Sequence, residues 1–133
     1  MTNVFEKTYD VAIDFYGYGS FVTAFLATKI QAKKKATWIH DEKPYWMKSV
    51  QKYLCEYDKI YGVSQAVVDA FCREYPHYKD KAAVFYNVID IEEIKRKSEQ
   101  DEVIPFKDSF NIVTVGRLTE QKGYDIAIKA ASI

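Results

Sequence analysis

Residues 115–123 read VGRLTEQKG, and two cations in this stretch, Arg117 and Lys122, stand five residues apart behind a short apolar run, Ile112-Val113-Thr114-Val115. Arginine presents a planar fork to phosphate oxygens, and lysine adds a compact charge. Gly116 lets the main chain approach a ligand with no Cβ in the way. The stretch reads as a loop after a strand and before a helix, and a helix start adds unpaired N–H groups and a partial positive charge. Together these parts suit a phosphate or diphosphate. A solvated loop carrying two surface cations would show the same spacing, and the residues alone leave both readings open.

Other positions offer less. His40 closes the apolar segment ATWIH and is either a ligand-facing imidazole or a strand-end histidine satisfied by the backbone. Asp41 after it suits a cap on the next turn. Ser64 is first of all a helix N-cap. The stretch YGYGS, with Gly17 and Gly19, resembles half of a dinucleotide fingerprint, but Val22 stands where the third glycine of G-x-G-x-x-G belongs, so it reads as a tight turn. Lys33-Lys34-Lys35 reads as a solvated loop ahead of a strand. Cys55 and Cys72 lack the partners and spacing of a zinc site, are too few for a disulfide scaffold, and read as reduced helix residues of a cytoplasmic protein. No metal site is expected.

The elements that must hold these residues alternate. YDVAIDFYG is an apolar run closed by Gly17, a buried strand. SFVTAFLATKIQA follows as a helix with Ser20 as its cap and Val22, Leu26 and Ile30 along one side. ATWIH is a second strand. Trp46, Val50, Tyr53, Leu54 and Tyr57 then share a helical face. KIYGVS is a third strand, and Ser64 opens a helix carrying Val67, Val68, Phe71, Cys72 and Tyr75, which Pro76 stops. AAVFYNV is a fourth strand. Strand and helix in alternation with short connections predict an α/β fold, a Rossmann-like parallel sheet with flanking helices. Ligands on such sheets bind beyond the carboxyl ends of the strands, which selects Gly17 to Ser20, His40 to Lys43, Val63-Ser64 and Asn87 to Asp90.

Texture changes after residue 88. DIEEIKRKSEQDEV is dense in charge, and Asp90 with Glu93 fits a capping box. PFKDS reads as a loop. The expected division is 1–88 as one Rossmann-like domain, 89–107 as a linker, and 108–133 as the first strand (FNIVTVG) and helix of a second such domain. That helix is expected from about Lys122 onward, with Ile126, Ala130 and Ile133 facing its core. One strand and one helix cannot bury enough apolar surface to stand alone, so a fragment of a larger two-domain protein is expected.

Composition agrees with a globular chain. Of 133 residues 48% are hydrophobic and 29% charged, and nineteen basic side chains balance nineteen acidic ones. Disorder and collagen-like structure are excluded, and a neutral balance gives no electrostatic footprint for nucleic acid. No apolar run approaches a membrane span, and MTNVFEKTYD has no signal-peptide layout. The eleven tyrosines are scattered and expected mostly at core edges.

FNIVTVGRLTEQKGYDIAIKAAS resembles the start of the C-terminal domain of group 1 glycosyltransferases, retaining enzymes of the GT-B fold. ATWIHDE, YDKIYGVSQAVVDAF and VFYNVIDIEEI resemble successive segments of that family in the expected order, so the likeness runs from about Tyr9 onward. It implies transfer of a sugar from a nucleotide sugar, as substrate rather than cofactor, to a saccharide or lipid-linked acceptor, with polysaccharide biosynthesis as the setting. It implies that Gly116, Arg117 and Lys122 hold the donor diphosphate, doing the work of a divalent metal, and that His40 is catalytic beside the donor sugar. Ser64 would border the acceptor cleft and Asn87 would be hinge structure, in a segment where Val88 replaces the family's glycine. Some members work at membranes, which allows a weak contact of Lys33 to Lys35 with anionic headgroups at the inner face.

Two family features fall outside this sequence: the glycine-rich loop after the first strand, and the pair of glutamates that grips the donor's sugar and ribose. The isolated chain is therefore expected to be inactive, its missing partner being the remainder of its own C-terminal domain. The rival expectation is a non-catalytic α/β binding or regulatory module with an anion site. A second rival, a flavodoxin-like domain, would hold its anion at Gly17 to Ser20.

Overall fold

The computed structural model describes residues 7–16, 21–43, 46–100 and 110–132, and the chain divides into two units, Met1–Ile89 and Asp90–Ile133. In the first unit β1 (Thr8–Asp14), β2 (Gln31–Ile39), β3 (Lys59–Gly62) and β4 (Ala82–Val84) form one sheet in the order β1-β2-β3-β4, every neighbouring pair parallel. Parallel neighbours need crossovers. These are α1 (Phe21–Lys29), then α2 (Met47–Val50) running into a 3-10 helix (Gln51–Glu56), then α3 (Gln65–Glu74) followed by a second 3-10 helix (Pro76–Lys81). The fold is the α/β, Rossmann-like arrangement expected from the alternation of the sequence.

Strands laid down in sequence order with right-handed crossovers send all their connections over one face. The core lies there: Leu26 and Ala27 of α1, Met47, Val50, Leu54 and Tyr57 of the second crossover, and Val67, Phe71 and Tyr75 from the third pack over Ala12, Ile39 and Ile60. Gly62, buried at the end of β3, lets α3 come close. A Cβ there would lie 2.7 Å from the Val68 side chain and 3.2 Å from its backbone nitrogen. Ser64 caps α3, its hydroxyl accepting from the Val67 N–H at 3.2 Å.

Under α1 the carboxylate of Asp14, 1% exposed, accepts hydrogen bonds from Thr23 Oγ1 at 2.5 Å and Thr37 Oγ1 at 3.1 Å. The Tyr57 hydroxyl donates to the Thr23 carbonyl at 2.8 Å. Burial, and after it the charge of Asp14, push the Tyr57 phenol well above its ordinary value. A raised acid favours the protonated form in the fold. Its stabilisation is complete below the unfolded pKa near 10 and is lost as pH rises beyond that. Urea denaturation at successive pH values above 10 should therefore show stability falling, with Tyr57 contributing up to about 1.4 kcal/mol per pH unit. Tyr57→Phe should fall less steeply. Equal slopes would exclude Tyr57 as the cause.

Several details depart from expectation. β2 begins at Gln31, so Lys33, Lys34 and Lys35 lie within a strand and not in a loop. Each has a partner that suits it to the sheet: Lys33 pairs with Asp10 at 2.7 Å, Lys34 with Asp58 at 2.8 Å, and Lys35 Nζ donates to the Ala27 carbonyl. In α1 the buried side is Thr23, Leu26 and Ala27, while Val22 is exposed. The segment from Trp46 to Tyr57 is not one helix. Four α-helical residues tighten into a 3-10 helix, and its spacing still buries Met47, Val50, Leu54 and Tyr57. Cys55 is exposed in that 3-10 helix and Cys72 half-buried in α3, both free. The expected cap Ser20 and turn Gly17 to Ser20 lie outside the described residues.

In the second unit α4 (Ile91–Ser98) starts where the capping pattern places it, the Asp90 carboxylate accepting from the Glu93 N–H at 2.9 Å. A 3-10 turn (Glu120–Lys122) and α5 (Tyr124–Ala131) follow. The expected strand FNIVTVG is not one: residues 110–116 join no ladder, and Ile112, Val113 and Val115 are exposed. Ile126 and Ala130 are exposed too, and Ile133 lies outside the described residues. The reason is physical. A strand exists by exchanging hydrogen bonds with another strand, and the described residues of this unit supply none.

Candidate functional site

β1, β2 and β4 run parallel, so Phe15, His40 and Phe85, each immediately following one of these strands, arrive at the same end of the sheet. They line a pocket of about 410 Å³ together with Tyr86, Asn87 and Val88. This is the carboxyl-end position at which open parallel sheets bind ligands. His40 is fixed there. Its Nε2 lies 2.8 Å from the Phe15 carbonyl, which can only accept, so Nε2 carries the hydrogen. The Phe15 ring meets the imidazole edge-on at 5.7 Å. Behind this pair Trp38, Tyr61 and Phe85 interlock, with ring centroids 4.6 to 5.5 Å apart.

His40 and Asn87 were singled out separately, and the fold places them in one pocket. Among the described residues the lining carries no lysine or arginine and offers aromatic faces, an amide and an imidazole, a set suited to an uncharged polar ligand. Sequence reading passed over Phe15, Phe85 and Tyr86. Their signal was their place: each lies within two residues of the end of β1 or β4, just ahead of the stretches Gly17 to Ser20 and Asn87 to Asp90 that the carboxyl-end rule selects. Ser64 serves as a cap and is not among the lining residues.

The cationic motif lies in the second unit. A Cβ on Gly116 would stand 2.7 Å from the Tyr124 hydroxyl and 3.8 Å from Lys122 Cγ, so Gly116, Lys122 and Tyr124 are neighbours. The chain turns between them through the 3-10 helix and Gly123, whose φ of 63° is left-handed and suits glycine. Arg117 and Lys122 are exposed, and among the described residues neither makes an ion pair. Acidic groups are close by. Glu120 and Asp125 line a hollow of about 220 Å³ with Leu118, Thr119 and Tyr124, so that hollow is not itself an anion site. Asp125 also sits in the first turn of α5, where it answers the helix dipole.

Among the described residues no group of histidine, cysteine and acidic side chains could hold a metal ion, and no helix is long and apolar enough to cross a membrane. The fold and the strand-end pocket define an α/β protein of the Rossmann-like class. Compared with protein-family models, curated proteins and solved structures, the chain matches none.

Proposed function

We propose that the chain is part of a retaining glycosyltransferase of the GT-B type, an enzyme that transfers a hexose-type sugar from a nucleoside diphosphate to a saccharide or lipid-linked acceptor. The observation that carries the reading is His40, held by the Phe15 carbonyl at the carboxyl end of β2 in a pocket whose described lining has no lysine or arginine. A sugar ring is such a ligand: hydroxyls for the imidazole and amide, C–H faces for the aromatic rings. The order of segments that resemble the family, ending in Gly116-Arg117 and Lys122-Gly123, supports it further.

Breaking the glycosidic bond of the donor leaves growing negative charge on the departing diphosphate. Fixed cations beside it stabilise the transition state more than the ground state, which is where a barrier is lowered. Arg117 and Lys122 have that role in the proposal, with Gly116 allowing close approach of the main chain. His40 hydrogen-bonds a sugar hydroxyl. The work would be done in the cytoplasm, at the inner face of the membrane where the acceptor is lipid-linked.

Titration of the 133-residue protein with uridine, guanosine and adenosine diphosphates, followed by amide chemical shifts, tests the donor half. Shifts confined to Gly116, Arg117 and Lys122 and their neighbours are expected, with no sugar transfer by this chain alone. Absence of any shift there, or shifts equal to those from inorganic sulfate, would remove the donor reading and leave a non-catalytic binding module.

A further inference from the structure

We propose that two copies of this chain pair through β1, strand to strand and antiparallel, joining their sheets across a twofold axis centred on Val11. The inference does not rest on the glycosyltransferase reading. β1 is an end strand, bonded to β2 on one side and to no described strand on the other. Proteins commonly blunt such edges with charged side chains, lysine above all, with inward-pointing charges, proline, a bulge or short length. β1 has seven residues, TYDVAID, with neither lysine nor proline among them, and its two charges are taken up within the chain, Asp10 by Lys33 and Asp14 by Thr23 and Thr37. Tyr9, Val11 and Ile13 alternate on the face away from the helices and are 41%, 55% and 53% exposed.

What selects a second copy as the occupant is the self-complementarity of this short run. A twofold axis perpendicular to the sheet keeps the open faces of both copies on the same side, which allows only registers centred on a residue. Centring on Asp10 sets two Asp10 carboxylates against each other, and centring on Ala12 sets Asp10 against the second copy's Asp14. Like charges directly opposite are unfavourable. Centring on Val11 sets Asp10 against Ala12, Asp14 against Thr8, Tyr9 against Ile13 and Val11 against itself. That register alone uses the whole strand, and its open face becomes a run of aromatic and β-branched cross-strand pairs. Asp10 is already paired with Lys33 of its own chain at 2.7 Å. The balance of nineteen basic and nineteen acidic residues leaves no net repulsion between copies.

Sedimentation equilibrium on the 133-residue protein should give a concentration-dependent mass approaching twice 15.5 kDa. Val11→Asp brings two carboxylates together at the axis and should weaken association at least about tenfold. Circular dichroism should be unchanged, because Val11 is more than half exposed. Mixing Val11→Asp with Val11→Lys protein should restore the dimer as a heterodimer, a result that general loss of folding cannot produce. A 15.5 kDa particle at every concentration, or a dimer that Val11→Asp leaves intact, overturns the proposal.

Discussion

Replacing Phe71 with alanine is expected to destabilise the first unit by about 3–5 kcal/mol. Phe71 is 1% exposed and sits where α3 meets the rest of the core, its ring 5.3 Å from that of Tyr75 and 6.5 Å from that of Tyr78. Removing it loses the transfer free energy of a phenyl group and leaves a cavity. The surroundings are poorly able to close it, since Gly62 already brings β3 and the start of α3 into contact. Domains of this kind have about 5–15 kcal/mol in total, so the variant should be near the edge of folding. Urea denaturation followed by far-ultraviolet circular dichroism gives the number. Val88→Ala, at a residue 89% exposed, should stay within about 0.5 kcal/mol of the parent and serves as the control. A Phe71→Ala protein as stable as that control would mean that α3 does not close the core.

The sheet was legible because its strands are short apolar runs separated by amphipathic helices. That pattern has few solutions other than a parallel sheet with crossovers. Ser64 and Asp90 were legible for a local reason: a side-chain oxygen that meets an N–H three residues on is specified within one turn of chain. The start of β2 was not. Lys33, Lys34 and Lys35 look like loop, and their places in the strand go with Asp10 and Asp58, both distant in sequence, and with the Ala27 carbonyl at the end of the preceding helix, which receive them. The burial of Thr23 in place of Val22 has the same origin. Its hydroxyl completes the shell of Asp14, and no helical periodicity in apolar residues announces that.

The site divides in the same way. His40 was found from its position at a strand end, and that position is a pocket. Phe15, Phe85 and Tyr86 were not found, because an aromatic residue at the end of a strand looks the same whether it closes a core or walls a cavity. The segment FNIVTVG shows the opposite failure. Its composition is that of a buried strand, but composition supplies only half of each ladder hydrogen bond. The described residues of its unit offer no partner strand, and Phe110, Ile112, Val113 and Val115 remain exposed.

Arg117→Ala and Lys122→Ala are each expected to weaken binding of a nucleoside diphosphate by about ten- to hundredfold, the worth of a hydrogen bond to a charged group. Arg117→Lys should recover part of the loss, because it restores the charge without the planar fork that matches two phosphate oxygens. Both cations are exposed, so the interaction is screened, and the differences should shrink as salt is raised. Glu120 lies between them in sequence, and Glu120→Gln should tighten binding by removing a repelling charge. Isothermal titration at low and at physiological ionic strength distinguishes these cases. A general attraction between an anion and a basic surface would make Arg117→Lys neutral and leave uridine diphosphate no better bound than inorganic phosphate. A built diphosphate site makes Arg117→Lys costly, because geometry and not charge alone is then what the arginine supplies. That one substitution decides whether the five-residue spacing of Arg117 and Lys122 is a site or two cations on a solvated turn.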